Sequence, residues 1–271
     1  MEDLLERLFR VKKPIIGMVH LLPLPGAPRY DGRTDSIIER ALADAGALCE
    51  GGVDGLLVEN YGDIPYEPSP TRPETVTHMT LAANEVRKVA DKPIGINVLR
   101  NGAHAALAIA HATKAQFIRV NAYAEPIASL EGIIEPVAHS LARVRKTLSA
   151  EDVKFFADVR VKHAAPIAVR PIEEVAFDAA ERGMADAIIA SGSRTGSSPE
   201  LQTLDRIKST VKIPVLIGSG LTFCNVTALL GTADGAIVGS ELKVGGITEN
   251  QVDVSRVKRF MGRVIEIRRN L

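Results

Sequence analysis

The sequence is short of most features that mark secreted, membrane-bound or nucleic-acid-binding proteins. It has no tryptophan and only 4% aromatic residues, so any core must be aliphatic. Two cysteines, Cys49 and Cys224, are too few for a disulfide framework, and their scarcity fits a reducing, cytoplasmic setting. No apolar run approaches the roughly 18 residues that a membrane span requires. The first residues, Met1 to Glu6, are acidic and helical in pattern rather than leader-like. Neither sign of charge is in excess, because 33 Lys and Arg balance 33 Asp and Glu. That balance speaks against a broad nucleic-acid or anionic-membrane surface.

What is present is aliphatic and periodic. Hydrophobic residues make up 46% of the 271 residues. Eight short apolar runs end in polar residues or glycine: 14–20, 54–60, 93–98, 116–121, 153–159, 186–191, 213–219 and 234–240. Between them apolar residues fall at helical spacing, as in Ile37-Ile38-Ala41-Leu42-Ala45 and Val257-Phe260-Met261-Val264. Gly51-Gly52, Gly183 and Gly231 sit where helices would hand over to strands, the usual place for a left-handed glycine. Strict strand–helix alternation implies parallel strands with right-handed crossovers. The fold class is therefore α/β. We expect one (β/α)8 TIM barrel over residues 1–271, with a short N-terminal helix before Pro14 closing its bottom. A dinucleotide fold would place its glycine fingerprint after the first strand, whereas here the glycines come late.

Those late glycines suggest the first ligand. Ile217-Gly218-Ser219-Gly220 and Val238-Gly239-Ser240 end the seventh and eighth runs, where phosphate-binding barrels cradle an anion on backbone N–H groups. Gly192, after the sixth run, joins Gly218, Ser219, Gly220, Gly239 and Ser240 as a candidate phosphate ligand. The other strand ends are unusually polar: His20, Glu59, Asn60, Asn97, Asn121, Asp158 and Ser191, with Asp63, Arg100, Lys162 and His163 just beyond them. Side chains two apart on a strand share a face, so Arg119 lies one layer below Asn121 and needs a carboxylate partner. Glu59 and Asp158 are the available carboxylates. We expect them to be the chemical pair, with Lys162 and His20 beside them as catalytic contacts. Asn60, Asp63, Asn97, Arg100, Arg119 and Asn121 are expected to bind substrate. The carboxylate nearer Arg119 should stay charged and the more desolvated one should move the proton. Lys162 falls in an expected loop, which favours an orienting role over a Schiff base.

No cofactor is predicted. Glu59, Asp63 and Asp158 carry the hard oxygens that Mg²⁺ takes, and no zinc-ligand spacing is present. The loop from Leu21 to Tyr30 is apolar and proline-rich. Its simplest use is a rigid lid or a subunit contact; alone it would expose Leu21, Leu22 and Leu24 to water, so a homo-oligomer through loops near the barrel mouth is expected.

Several of these segments also resemble a known family. Gly17-Met18-Val19-His20-Leu21-Leu22-Pro23-Leu24-Pro25-Gly26, Val58-Glu59-Asn60-Tyr61-Gly62-Asp63-Ile64-Pro65 and Gly95-Ile96-Asn97-Val98-Leu99-Arg100-Asn101 resemble the BtpA/SgcQ family. So do Phe117-Ile118-Arg119-Val120-Asn121, Phe156-Ala157-Asp158-Val159-Arg160-Val161-Lys162-His163 and Ser191-Gly192-Ser193-Arg194-Thr195-Gly196. The resemblance runs nearly end to end and implies a ribulose-phosphate-binding type of barrel. It also brings an association with photosystem I biogenesis and, for some members, a likeness to sugar-metabolism proteins. The chain departs from the family pattern at Thr222-Phe223-Cys224, Gly102 and Gly245, all beside the expected mouth. The resulting expectation is an enzyme for a phosphorylated sugar or nucleotide-derived molecule, a lyase, isomerase or aldolase-like catalyst. The alternative is a non-catalytic assembly or stability factor.

Overall fold

In the computed structural model, described for residues 4–192 and 197–270, the expected strands close into a barrel. They are β1 (Ile15–His20), β2 (Gly55–Glu59), β3 (Ile94–Asn97), β4 (Phe117–Val120), β7 (Lys154–Val159), β9 (Ala187–Ala190), β10 (Val215–Ile217) and β11 (Gly235–Val238). Every neighbouring pair runs parallel, and β1 pairs with both β2 and β11 to complete the ring. Helices α2 (Thr34–Gly51), α3 (Pro73–Val89), α4 (Ala103–Thr113), α5 (Ala138–Thr147), α6 (Ile172–Phe177), α7 (Leu201–Thr210), α8 (Val226–Thr232) and α9 (Val254–Arg269) follow the barrel strands in turn.

Alternation along each strand sorts residues into two cores. Outward positions such as Ile15, Val19, Leu56, Val58, Ile96 and Val120 pack beneath the helices. Inward positions Ile16, Met18, Leu57, Phe117, Phe156, Ile189, Leu216 and Ile237 fill the lower lumen. Helix α1 (Leu4–Phe9) adds Leu5 and Phe9 to this lower cluster and closes the bottom, as expected. Two glycines make that plug fit. A Cβ on Gly95 would lie 2.1 Å from the Phe117 ring, and one on Gly55 would lie 2.5 Å from the Phe9 ring.

The lower strand ends are pinned by a repeated device. Asp54, Asp186 and Asp234, each just before a strand, accept from N–H groups at the start of the preceding barrel strands, Ile15, Phe155 and Val215, each at 2.8 Å. Arg268, Arg145 and Lys208 neutralise them in turn.

Three features differ from the sequence expectation. A separate antiparallel ribbon, β5 (Ile127–Ser129), β6 (Gly132–Ile134) and β8 (Ala164–Pro166), stands outside the barrel ring. Its strands are three residues long, too short for a period of two to register, and prolines flank them. Of the handover glycines, only Gly52 takes the left-handed cap (φ 92°). Gly183 has φ −82° and receives the Tyr123 hydroxyl on its carbonyl, while Gly231 lies within α8. Finally, Leu21 and Leu24 are buried rather than exposed. The first loop crosses directly over Gly62, where a Cβ would meet the Pro23 nitrogen at 2.5 Å, and Leu24 N–H donates to Asp63 Oδ1 at 2.8 Å. The apolar-loop argument for a homo-oligomer therefore fails, because the loop folds onto its own barrel.

Candidate active site

The charged ends of the strands meet above the apolar plug. Arg119 and Asp158 are both buried and face each other across β4 and β7. Arg119 Nε donates to Asp158 Oδ2 at 2.9 Å and its Nη2 to Oδ1 at 3.0 Å. Asn121 Nδ2 adds a third bond to Oδ2, also 2.9 Å. Burial works against the Arg119 cation, and Asp158 and Glu59 outweigh it, so the guanidinium is held above its ordinary range. The required partner of Arg119 is thus Asp158, whose oxygens are committed to the wall.

Glu59 is placed differently. Asn97 Nδ2 donates to its Oε2 at 2.5 Å, while Oε1 stands 3.6 Å from His20 Nε2. Burial, followed by the nearby Lys243, Lys162 and Arg40 charges, drives the His20 pKa well below its usual 6.5, with the Thr248 backbone opposing. At neutral pH the imidazole is uncharged. It stacks on Tyr61 with ring centroids 4.6 Å apart. Burial and the Glu249 carboxylate push the Tyr61 hydroxyl up to about 12, so it remains a donor.

Lys162 is partly buried rather than freely solvated. Burial and Arg119 lower its pKa, while Glu59 and Asp158 oppose the shift. Arg100 holds this segment, its Nη2 donating to the Lys162 carbonyl at 2.8 Å.

Two adjoining cavities open here. The first, of 220 Å³, lies among Glu59, Arg119 and Lys162 on one side and Ser219, Gly220, Gly239 and Ser240 on the other. The second, of 330 Å³, shares Glu59, Tyr61, Arg119 and Lys162 and extends past Asn97, Arg100 and Asn121 to the β5–β6 turn. The mouth therefore brings together His20, Glu59, Asn97, Arg100, Arg119, Asn121, Asp158 and Lys162, and five of the six expected phosphate ligands, all but Gly192, border the first cavity.

The remaining expected residues have other work. Gly218 borders the cavity, but its N–H is spent on the Ala190 carbonyl at 2.8 Å. Its missing side chain matters more, since a Cβ would sit 3.2 Å from Arg119 Nη2 and 2.4 Å from Ser191 Oγ. Gly192 packs against Ser197 outside the cavity lining. Gly220 (φ +73°) lets the Ser197–Ser198 backbone pass within 2.1 Å of where a Cβ would be. Asn60 and Asp63 pin loops and line neither of these two cavities. Asn60 Nδ2 donates to Asp63 Oδ2 at 2.9 Å, Asn60 Oδ1 accepts Leu99 N–H at 2.7 Å, and Asp63 holds Leu24. Glu59, Asp63 and Asp158 consequently do not converge, and among the described residues no trio of His, Cys, Asp or Glu forms a metal-ligand cluster. Ser193 to Gly196, part of the recognised motif, lie outside the described residues.

Sequence reasoning missed Lys243. It is fully buried, with Nζ 3.1 Å from Asp44 Oδ2, and this pair anchors the segment after β11 to α2. That segment brings Thr248 to the cavity and Glu249 to the Tyr61 hydroxyl. Nothing in the local sequence ties residues 199 positions apart.

A closed parallel barrel with an apolar plug below and converging charges above defines a (β/α)8 protein. Solved structures share that architecture. Tryptophan synthase from Mycobacterium tuberculosis superposes with a TM-score of 0.59 at 19% identity, covering 95% of this chain and 93% of that one. N-(5′-phosphoribosyl)anthranilate isomerase from Pyrococcus furiosus gives 0.57 at 15% identity, covering 94% and 99%. The chain belongs to the BtpA family, whose model matches residues 11–266. Among its relatives, photosystem I biogenesis protein BtpA of Synechocystis is 44% identical over 95% of this chain and 90% of that protein. An uncharacterized protein of Thermococcus kodakarensis is 43% identical over 96% and 98%. An uncharacterized mitochondrial protein of Caenorhabditis elegans is 35% identical over 97% of each. Among the described residues no helix is long and apolar enough to cross a membrane.

Proposed function

We propose that this chain is an enzyme acting on a phosphorylated small molecule, a sugar phosphate or nucleotide-derived compound, by acid–base chemistry of the lyase, isomerase or aldolase-like kind. The observation that carries this reading is the unequal placement of the two carboxylates. Asp158 is saturated by Arg119 and Asn121, whereas Glu59 keeps an oxygen toward the cavity beside a neutral His20. A fixed charge and a separate carboxylate at one cavity are the parts that proton transfer needs.

In this scheme the phosphate sits on the N–H groups of Ser219, Gly220, Gly239 and Ser240, with Lys162 facing them across the cavity. Such donors attract an anion without strong desolvation of a lysine. Glu59 takes the proton, Asn97 holds its carboxylate in place, and His20 and Lys162 contact the reacting group. Asp158 acts by fixing Arg119. The names of two similar barrels, thiamine phosphate pyrophosphorylase and phosphoribosylanthranilate isomerase, also point to phosphorylated compounds. The reading places the protein in the cytoplasm and requires no cofactor.

The Synechocystis relative favours a second reading, a non-catalytic biogenesis factor. A scaffold has no use for Glu59 as a proton acceptor. The experiment is a turnover screen of phosphorylated pentoses, hexoses and nucleotides, repeated with Glu59→Gln on any compound converted. We expect conversion by the native protein and a loss of about a hundredfold to ten-thousandfold in the variant. Near-full activity in Glu59→Gln would remove the assigned base, and no conversion of any compound would favour the biogenesis reading.

A further inference from the structure

The second cavity is built unlike the first. Where the first is walled by glycine and serine backbone, the second has Tyr66, Ile64, Leu99, Val161 and Leu130 around it. Such walls do not suit a phosphate or a bare polyol, but they suit the faces of a flat ring. At the far rim the ribbon turn presents two neighbours in opposite ways. Leu130 is 85% exposed at the lip, whereas the Glu131 side chain is only 8% exposed and lines the cavity. Ser129 Oγ holds Glu131 Oε2 at 2.6 Å. Across from it, Arg100 is buried, with Nε 3.9 Å from that same oxygen and without a hydrogen-bond partner among the described residues. The guanidinium and the carboxylate, 3.9 Å apart, are too close to admit an atom between them, but side by side they can pair with a donor and an acceptor on one edge of a ligand.

Resting on the phosphate-ligand reading above, we propose that the second cavity is a ring-recognition subsite and that the substrate belongs to the 5′-nucleotide class, a phosphorylated ribose bearing a planar heterocycle. The phosphate lies in the first cavity and the ring in the second, between Tyr66 and Leu130, with its polar edge read by Arg100 and Glu131. Glu59 and Lys162, shared by both cavities, then stand at the ribose between them. The volumes agree with this division, since 220 Å³ and 330 Å³ as adjoining lobes fall within the range of small-ligand sites. A triose or pentose phosphate would leave the second lobe empty.

The test is calorimetric titration of the full chain with inorganic phosphate, ribose 5-phosphate, adenosine 5′-monophosphate and uridine 5′-monophosphate. At least one nucleotide should bind roughly tenfold or more tightly than ribose 5-phosphate, the gain expected from burying an apolar ring face. Leu130→Ala, at an exposed turn, should fold normally and erase most of that gain while ribose 5-phosphate affinity stays as it was. Glu131→Gln should change the preference between the two nucleotides. Ribose 5-phosphate binding as tightly as both nucleotides would overturn the ring subsite and leave the phosphate reading standing. Equal weakening of all sugar phosphates by Leu130→Ala would overturn it as well. Binding of none of the four probes would contradict both.

Discussion

The two ends of this barrel are made from the same strands yet have opposite chemistry. Two residues along β4 separate Phe117, stacked on Phe156 in the plug, from Arg119 in the ion pair. The same step leads from Leu57 to Glu59, from Met18 to His20 and from Phe156 to Asp158. Below, carboxylates cap strand N–H groups and meet cations at the rim, and among the described residues Arg268 Nε is a buried polar atom there without a partner. Above, some polar atoms stay open, including Arg100 Nε and Asn121 Oδ1, which are buried without hydrogen-bond partners among the described residues. A stable barrel needs only the lower arrangement. The upper one costs desolvation, a cost that the proposed ligand would offset.

The contrast can be broken most severely at the top. Asp158→Asn leaves Arg119 buried without its bidentate partner and should cost about 3–5 kcal/mol in urea unfolding. Replacing both, Arg119→Met with Asp158→Leu, should recover most of that loss while abolishing ligand binding. If the double variant still binds, the pair serves the fold alone.

At the bottom the expected effect is smaller and separate. Gly95→Ala pushes a methyl into Phe117 and should destabilise by about 1–3 kcal/mol. Its ligand affinity should match that of the native protein. A change in affinity would show that the two ends are coupled through the strands.

The smallest effect is a pH dependence carried by His20. The folded state disfavours the protonated ring, so the unfolded chain takes up the proton first as pH falls below about 6.5. The stability contributed by neutral His20 is complete above that value and is lost on acidification toward the folded pKa. His20→Gln should therefore flatten the melting-temperature profile between pH 7.5 and 5.5, a range taken to bracket the ordinary histidine pKa. An identical slope in both proteins would mean that the ring is solvated in the folded state.

The barrel was legible because its eight strands are short continuous apolar runs separated by segments of helical period, and the polar strand ends stood out against those runs. Arg119 was foreseen to need a carboxylate, because an arginine on an inward strand position cannot stay unpaired. Which carboxylate it takes was not legible, since Glu59 and Asp158 are equivalent in sequence and differ only in their neighbours across the ring. Asn60 and Asp63 looked like ligands because loop pins and ligands use the same residue types at strand ends. Leu21 and Leu24 looked exposed because the sequence does not show that Gly62 lets their loop lie flat. The pairing of β8 with the β5–β6 hairpin and the Lys243–Asp44 pair join segments far apart in the chain, and the hairpin's own strands are too short for a local pattern to show.

The claim that the upper end exists to hold a phosphate is tested most directly by titrating inorganic phosphate into the native protein and Gly239→Asp, followed by calorimetry and thermal unfolding. A Cβ at Gly239 would stand 3.3 Å from His20 Cε1 and 3.4 Å from Met18 Cγ, close approaches to side chains rather than backbone, and the new carboxylate would bring negative charge to the border of the first cavity. The native protein should bind phosphate and be stabilised by it, and the variant should fold but gain nothing. Equal stabilisation of both, or of neither, would contradict the account.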